Sequence, residues 1–370
     1  MGVRGVPPTG WQDGTVTVPG DREAGRLAFD EIEVLQDISD VLPGPAGDEV
    51  WLGDDAAVLR FGSTGRGGGI GEDREMFKTG SSAAVVASVD LTVEGRHFDL
   101  SFSALEDAGW KALMRAASDL AAMGAIPARS LAGLVLDRPL DVKALYAGMT
   151  AAAGRIGCPV VGGDVSAGEQ LVLAVTVLGI IEEGPGPVLR TGARPGDYLL
   201  LTGPVGGAAA GLRTLRASAG RGIGAAGSAG ASAGGFDLPH GLLQVLAERC
   251  LRPVALVEQG RLARLVGAHA MIDVSDGFER DLRRLLEASG VGCELGMIPV
   301  AEGADLADAL YGGDDYELII AMDDPVALSE AAARAGFPRP IQVGRCNASS
   351  GELLLNGEIV TPGGHVHRFG

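Results

Sequence analysis

Residues 270–282 read AMIDVSDGFERDL. Ala270, Met271 and Ile272 start a buried strand, yet the run breaks into Asp273 and then into Ser275, Asp276 and Gly277. From Phe278 the period changes. Phe278, Leu282, Leu285 and Leu286 recur at helical spacing, so a helix is expected over 278–289. Burying even one unpaired carboxylate is costly. A strand that ends on two of them therefore needs a compensating charge, or a role for the acids as helix caps. Capping suits Asp276 or Ser275 taken singly. It leaves Asp273, inside the strand end, unexplained.

The same junction recurs along the chain. VWLGDD ends in Asp54 and Asp55, VVASVD in Asp90, PVVGGD in Asp164, and LYGGDDYEL carries Asp314 and Asp315. Asp119 stands in an Ala-rich helical pattern that starts at Ser103, with Glu106 completing a capping box, and stops at Gly124. The plain alternative for Asp119 is an ion pair with Arg115 one turn earlier. Carboxylates at several strand ends can converge at one edge of a sheet. There they repel: at about 4 Å and an effective dielectric near 20, one like-charge pair costs roughly 4 kcal/mol. Hard divalent cations relieve that repulsion, and aspartate oxygens suit Mg²⁺ or Ca²⁺ better than zinc. Mg²⁺ keeps waters and is shared with substrate phosphates, so metal-bridged phosphate chemistry is expected.

Composition narrows the partners. The chain has 370 residues, 46% of them hydrophobic, enough for two cored domains. Its 48 acidic and 30 basic residues give a formal charge of −18, which argues against nucleic acid and anionic membranes as partners. No apolar run reaches the length of a membrane span, and the N-terminal residues lack a signal-peptide core. Cys158, Cys250, Cys293 and Cys346 are far apart and form no C-x-x-C pair, so reduced thiols and a cytoplasmic location are expected.

Strands and helices are interspersed in both halves, the pattern of a mixed α/β or α+β protein. Residues 1–25, rich in Gly and Pro, are expected to be a flexible extension; 26–185 form an N-terminal domain and 190–370 a C-terminal one, with the boundary in EEGPGPVLRTGARPGD at 182–197. Helices are expected near 32–42, 141–156, 241–250 and 254–267. The Gly-rich stretches 61–82 and 218–235 are expected to be flexible loops.

Other phosphate devices fail. None of the lysines, Lys78, Lys111 and Lys143, follows the glycines of a Walker A loop, and the protein-kinase signatures are missing. TGPVGGAAAG follows a strand but lacks the rest of a dinucleotide fingerprint.

Seven segments then occur in a telling order: LGDDAAVL, SVDLTVEGRHF, KALMRAASDLAAMGAIP, VVGGDVSAG, LRTGARPGDYLLLTGPVGGAAAGL, MIDVSDGFERDL and GGDDYEL. Together they resemble the thiamine-monophosphate kinase family of the aminoimidazole ribonucleotide synthetase superfamily, over residues 30–345. The resemblance implies a two-domain fold. The N-terminal sheet dimerises into a barrel-like core, a C-terminal α+β domain follows, and ATP and several Mg²⁺ ions lie in the cleft. It implies direct transfer of the γ-phosphoryl of ATP to thiamine monophosphate, giving thiamine diphosphate and ADP, in a homodimer.

Position by position, the resemblance implies metal binding by Asp55, Ser88, Val89 (through its carbonyl), Asp90, Asp119, Asp164, Asp273 and Asp276. It implies nucleotide contacts by Gly163, Asp164, Arg190, Ser275 and Tyr146, and contacts to the thiamine phosphate by His97 and Asp314. Asp273, Asp276 and Arg190 are the candidate catalytic residues. Since the nucleophile is already an ionised phosphate oxygen, the acids act as metal ligands and no strong general base is needed. Two departures stand out. The family commonly carries Glu at the position of Asp314. The C-terminus reads GGHVHRFG, where His365 and Phe369 are the candidates for the family's aromatic contact. Taken singly, His97 reads as an ordinary histidine and Arg190 as a solvated one. The alternatives for the whole chain are another ATP-dependent synthetase of the superfamily and a non-catalytic sensor of nucleotide or thiamine phosphate.

Overall fold

The computed structural model describes residues 29–30, 49–50, 54–60, 84–219, 239–363 and 368–369. The expected N-terminal extension, the helix near 32–42 and the loop 61–82 lie outside these residues. The two chain ends form one unit, in which β1 (Phe29–Asp30) pairs antiparallel with β14 (Arg368–Phe369). Everything described from Leu42 to His365 belongs to the other unit.

The first half of that larger unit builds an open five-stranded sheet, with order β2-β3-β6-β4-β5. Its strands are β2 (Ala57–Arg60), β3 (Ala84–Val93), β4 (Ile126–Leu136), β5 (Val160–Ala167) and β6 (Val172–Ile181). Only β4 and β5 run parallel. No closed barrel is formed among the described residues; β2 and β5 are free edges of this sheet. Alternation sorts its side chains. Val86, Ala132, Leu134, Leu173, Val175 and Val177 are buried on one face, while Val89, Leu91, Leu131 and Ile180 are exposed on the other.

Helix α1 (Leu105–Ala122) covers the buried face, and α2 (Val142–Ile156) packs on α1. The helices approach closely because glycines face the neighbouring backbone. A Cβ on Gly148 would lie 1.8 Å from the Glu106 carbonyl oxygen, and one on Gly109 2.0 Å from that of Leu145. The cap of α1 differs from expectation. Ala104 is the N-cap, its N–H donates to Asp107 at 3.2 Å, and the Ser103 hydroxyl turns back to the Asp99 carbonyl. Ser103 is held by the preceding turn and cannot also cap. Asp141 caps α2, its side chain accepting from the Lys143 and Ala144 N–H groups, and Gly157 closes that helix in the left-handed conformation.

The second half contains β7 (Tyr198–Leu201), α3 (Gly207–Ala219), α4 (His240–Leu251), α5 (Val257–Leu265), β8 (Ala270–Asp273), α6 (Phe278–Ser289) and β9 (Gly292–Leu295). Then follow α7 (Leu306–Tyr311), β10 (Leu318–Met322), α8 (Pro325–Arg334), β11 (Ile341–Asn347), β12 (Leu353–Leu355) and β13 (Glu358–Ile359). Ser218 and Ala219, expected in a loop, end α3; the rest of that stretch lies outside the described residues. The seven strands form a sheet of order β13-β12-β9-β11-β7-β10-β8, antiparallel except for β12 with β9. Strands β8 and β10 are buried throughout. Their even and odd positions feed two cores. Met271, Leu318, Ile320 and Met322 join the core under α1, while Ile272, Ile319 and Ala321 pack with Phe278, Leu282, Leu285 and Leu286 of α6. That double burial is why AMI reads as a continuous apolar run.

Candidate active site

Three carboxylates from distant parts of the chain converge. Asp55 comes from the bend before β2, Asp119 from the last turn of α1 and Asp273 from the end of β8. Each offers an oxygen, and these oxygens all lie within 4.8 Å of one another. Asp55 and Asp273 are buried. Burial, followed by repulsion between the acids, pushes the carboxyls of Asp119 and Asp273 far above the usual carboxylate range. One oxygen of Asp55 is buried without a hydrogen-bond partner.

Polar neighbours fix the triad. Ser118 of α1 donates to Asp273 at 2.5 Å and so ties the first half of the chain to the second. Ser88 of β3 donates to Asp119. Arg190 sets its Nη2 2.6 Å from Asp55 and donates its backbone N–H to Asp54 at 3.0 Å. Burial, then the charge of Asp55, raises the Asp54 carboxyl to about 6.

Asp90 follows a different course. It lies within β3, two residues past Ser88, on the face that meets α1. Two residues of strand span about 6.7 Å and one helical turn about 5.4 Å. The ladder Ser88–Asp119 is thus followed by Asp90–Arg115. Arg115 Nε and Nη2 reach the two Asp90 oxygens at 2.9 and 3.3 Å, and its Nη1 reaches Asp314 at 3.3 Å. The ion pair of Arg115 with Asp119 expected from helical spacing is not the one formed, because Arg115 is committed to these two acids.

The opening stretch resolves here. The N-cap of α6 is Gly277, with φ of 121°, and neither Ser275 nor Asp276 caps the helix by its side chain. Instead the Ser275 and Asp276 N–H groups both donate to Asp281, each at 2.9 Å. Burial, then the charge of Asp276, raises Asp281 to about 7. Asp276 pairs with Arg284 at 2.8 Å. Beyond the β8–β10 ladder this turn zips onto the GGDDYEL segment: Asp314 N–H donates to the Ser275 carbonyl and Tyr316 N–H to that of Val274. Asp315 accepts from Gly206 and Ala208 at the start of α3.

The remaining expected residues lie apart from the triad. Asp164 sits inside β5, with Gly163 beside it, on the exposed edge of the five-stranded sheet; PVV is only the start of that strand. Val89 points its side chain to the exposed face of β3. Tyr146 is half-buried on α2 against the first core. His97 accepts from the Val93 N–H at 2.9 Å and lines a cavity with Lys111, Arg216 and Asp314. His365 lies outside the described residues, and Phe369 is in β14. Lys111, Arg115, Ser118 and Asp281 belong to the site as well, beyond the residues that the sequence motifs point to. The signal for the first three was present: polar residues at i, i+4 and i+7 on one face of an Ala-rich helix.

A metal suits this chemistry. The donors are hard carboxylate oxygens, one of them buried without a partner, in a cluster whose mutual repulsion a divalent cation relieves.

Residues 53–181 match the family model described as AIR synthase related protein, N-terminal domain. That stretch holds the five-stranded sheet with α1 and α2, which is similar to that domain. The thiamine-monophosphate kinase of Bacillus subtilis (strain 168) is 34% identical over 264 residues, which cover 68% of this chain and 76% of that protein. That of Mycobacterium tuberculosis (strain ATCC 25618 / H37Rv) is 34% identical over 309 residues, covering 78% and 82%. Among solved structures, "AaThiL complexed with AMPPCP and TMP" superposes with a TM-score of 0.72 at 25% identity, over 91% of this chain and 97% of that one. The thiamine-monophosphate kinase from Stenotrophomonas maltophilia K279a gives 0.64 at 30% identity, over 76% and 90%. The chain belongs to the thiamine-monophosphate kinase family.

Proposed function

We propose that the chain transfers the γ-phosphoryl group of ATP to the phosphate of thiamine monophosphate, giving thiamine diphosphate and ADP. The observation that carries this reading is the triad of Asp55, Asp119 and Asp273, with Arg190 beside it, in a chain 34% identical over 264 residues to a kinase of that name. The bond from the β–γ bridging oxygen to the γ-phosphorus breaks as an oxygen of the acceptor phosphate bonds to that phosphorus. Both reactants are anions, so the barrier lies in charge and alignment.

Asp55, Asp119 and Asp273, with Ser88, the Val89 carbonyl and Asp90 of β3, would hold Mg²⁺ ions; Asp276, and Asp164 on β5 apart from the triad, are the further ligands that the family resemblance implies. Bound there, Mg²⁺ supplies charge neutralisation on the phosphate oxygens. Arg190 offers a planar fork to a nucleotide phosphate, and Gly163, Ser275 and Tyr146 would complete the nucleotide site. His97 and Asp314 stand on the acceptor side.

We also infer a homodimer built on the exposed apolar face of the five-stranded sheet. Registry puts Val89, Thr176 and Leu131 in one row and Leu91, Ala174 and Gly133 in the next. We infer a two-domain division at 182–197 from the change of sheet there, β6 ending at Ile181 and β7 starting at Tyr198. The four cysteines are free and buried, which suits a cytoplasmic location; no helix among the described residues is long and apolar enough to cross a membrane.

The deciding experiment incubates the folded protein with ATP, Mg²⁺ and thiamine monophosphate. Formation of thiamine diphosphate and ADP in equal amounts is expected. Release of ADP only with an amidine-containing ribonucleotide would select the synthetase reading, and tight binding without turnover the sensor.

A further inference from the structure

Asp314 stands where the family resemblance places a contact to thiamine phosphate, but its carboxylate is already engaged. Lys111 Nζ lies 2.8 Å from Oδ2; the Tyr316 hydroxyl donates to Oδ1 at 2.7 Å, and Arg115 reaches the same oxygen at 3.3 Å. Burial works against the charge of Asp314, yet Lys111 and Arg115 outweigh it and hold the carboxyl well below its ordinary range. It therefore stays an anion. The backbone there is committed too. Asp314 and Tyr316 both adopt positive φ, 67° and 53°, which non-glycine residues hold only when their surroundings over-determine them.

A fixed carboxylate repels a phosphate. The cation it fixes attracts one. Lys111 lines the same cavity as His97 and Asp314, its side chain is 5% exposed, and Asp314 is its one ionic partner among the described residues. An ammonium carries three donors and no acceptor, so it has donors left for a second anion beside Asp314. Arg115 extends the arrangement from Asp314 to Asp90, from the acceptor side to the carboxylates assigned to metal.

We propose that Lys111 is the residue that contacts the phosphate of the acceptor, and that Asp314 acts as its positioning residue without touching that phosphate. The inference rests on the proposed reaction. It turns Asp314 from a ligand contact into a holder, and it puts the discrimination between a phosphorylated and an unphosphorylated substrate on one buried ammonium.

The test is calorimetric titration of the full chain with thiamine monophosphate, and separately with unphosphorylated thiamine, in the presence of a non-hydrolysable ATP analogue. Lys111→Met should weaken thiamine monophosphate roughly ten- to a hundredfold. It should change thiamine affinity by less than about threefold, within the effect of a lost neutral contact. Lys111→Arg, which keeps the charge, should recover most of the loss.

Asp314→Asn fixes the sign. Direct apposition of Asp314 and phosphate predicts tighter binding when its charge is removed, whereas a holder predicts weaker binding. Parent-like affinity in Lys111→Met, equal losses for both ligands, or tighter binding in Asp314→Asn overturns the proposal. Should Lys111→Met fail to fold by thermal unfolding, Lys111→Arg and Asp314→Asn decide alone. A parent protein that converts thiamine monophosphate while these variants behave otherwise sinks this inference only; a parent that neither binds nor converts it sinks the proposed function.

Discussion

Arg115 in α1 grips both carboxylate oxygens of Asp90 in β3, one helical turn before Asp119 takes the hydroxyl of Ser88. The strand and helix repeats nearly match here, so two pairs form in register and α1 is pinned over the sheet. Arg115 is 13% exposed, and breaking a buried pair leaves the partner charge uncompensated. Arg115→Leu should therefore destabilise the fold by about 3–5 kcal/mol. Arg115→Lys should recover only part of this, because an ammonium lacks the planar fork. Chemical denaturation of the three proteins checks both statements.

Asp276 tests the metal site with little structural risk. It is 21% exposed and pairs with Arg284, and asparagine keeps an acceptor oxygen for that partner, so Asp276→Asn should cost about 1 kcal/mol of stability. The Mg²⁺-dependent rate should fall roughly a hundredfold. Steady-state kinetics over a Mg²⁺ series is the measurement; a parent-like rate at every concentration removes Asp276 from the site.

Asp281 sets the turn that carries Ser275 and Asp276. Asp281→Ala leaves two backbone N–H groups of that turn without an acceptor, at about 1–3 kcal/mol each. Asp281→Asn keeps an acceptor oxygen and should lose much less. Amide hydrogen exchange at 275–276 should quicken in the alanine variant ahead of the rest of the chain.

Stability of the metal-free protein should fall as pH rises. Asp119 and Asp273, with Asp54 at about 6 and Asp281 at about 7, hold their protons more tightly folded than unfolded. From about pH 4, where unfolded aspartates ionise, the folded state carries the extra protons, and stability is lost as pH climbs through the folded values. Mg²⁺ competes with those protons. It should raise the melting temperature more at about pH 8 than at about pH 5. Differential scanning calorimetry with Mg²⁺ and with chelator checks it.

The exposed face of the five-stranded sheet gives a test of assembly. Val89 and Leu91 are 63% and 54% exposed on β3. Leu91→Glu should convert a dimer to monomer while leaving the fold intact, since neither face of the core is touched. Sedimentation velocity reads the outcome; an unchanged sedimentation coefficient excludes this face as the interface.

The sequence by itself determined the local grammar. The apolar run into Asp273 and the helices over 278–289 and 141–156 are written in neighbouring residues, and Asp55 and Asp273 stand out there as acids at strand ends. Periodicity and capping are short-range physics, so one chain suffices to read them. Only the tertiary structure decided which acids meet. It joined Asp55, Asp119 and Asp273, left Asp164 on an edge strand, drew Arg115 to Asp90 and Asp314 in place of Asp119, and made Asp281 the holder of the Ser275–Asp276 turn. Those choices depend on how α1 lies across β3 and how β8 pairs with β10. Helical and strand spacing fix which residues share a face, but what that face meets is set by contacts between elements far apart along the chain.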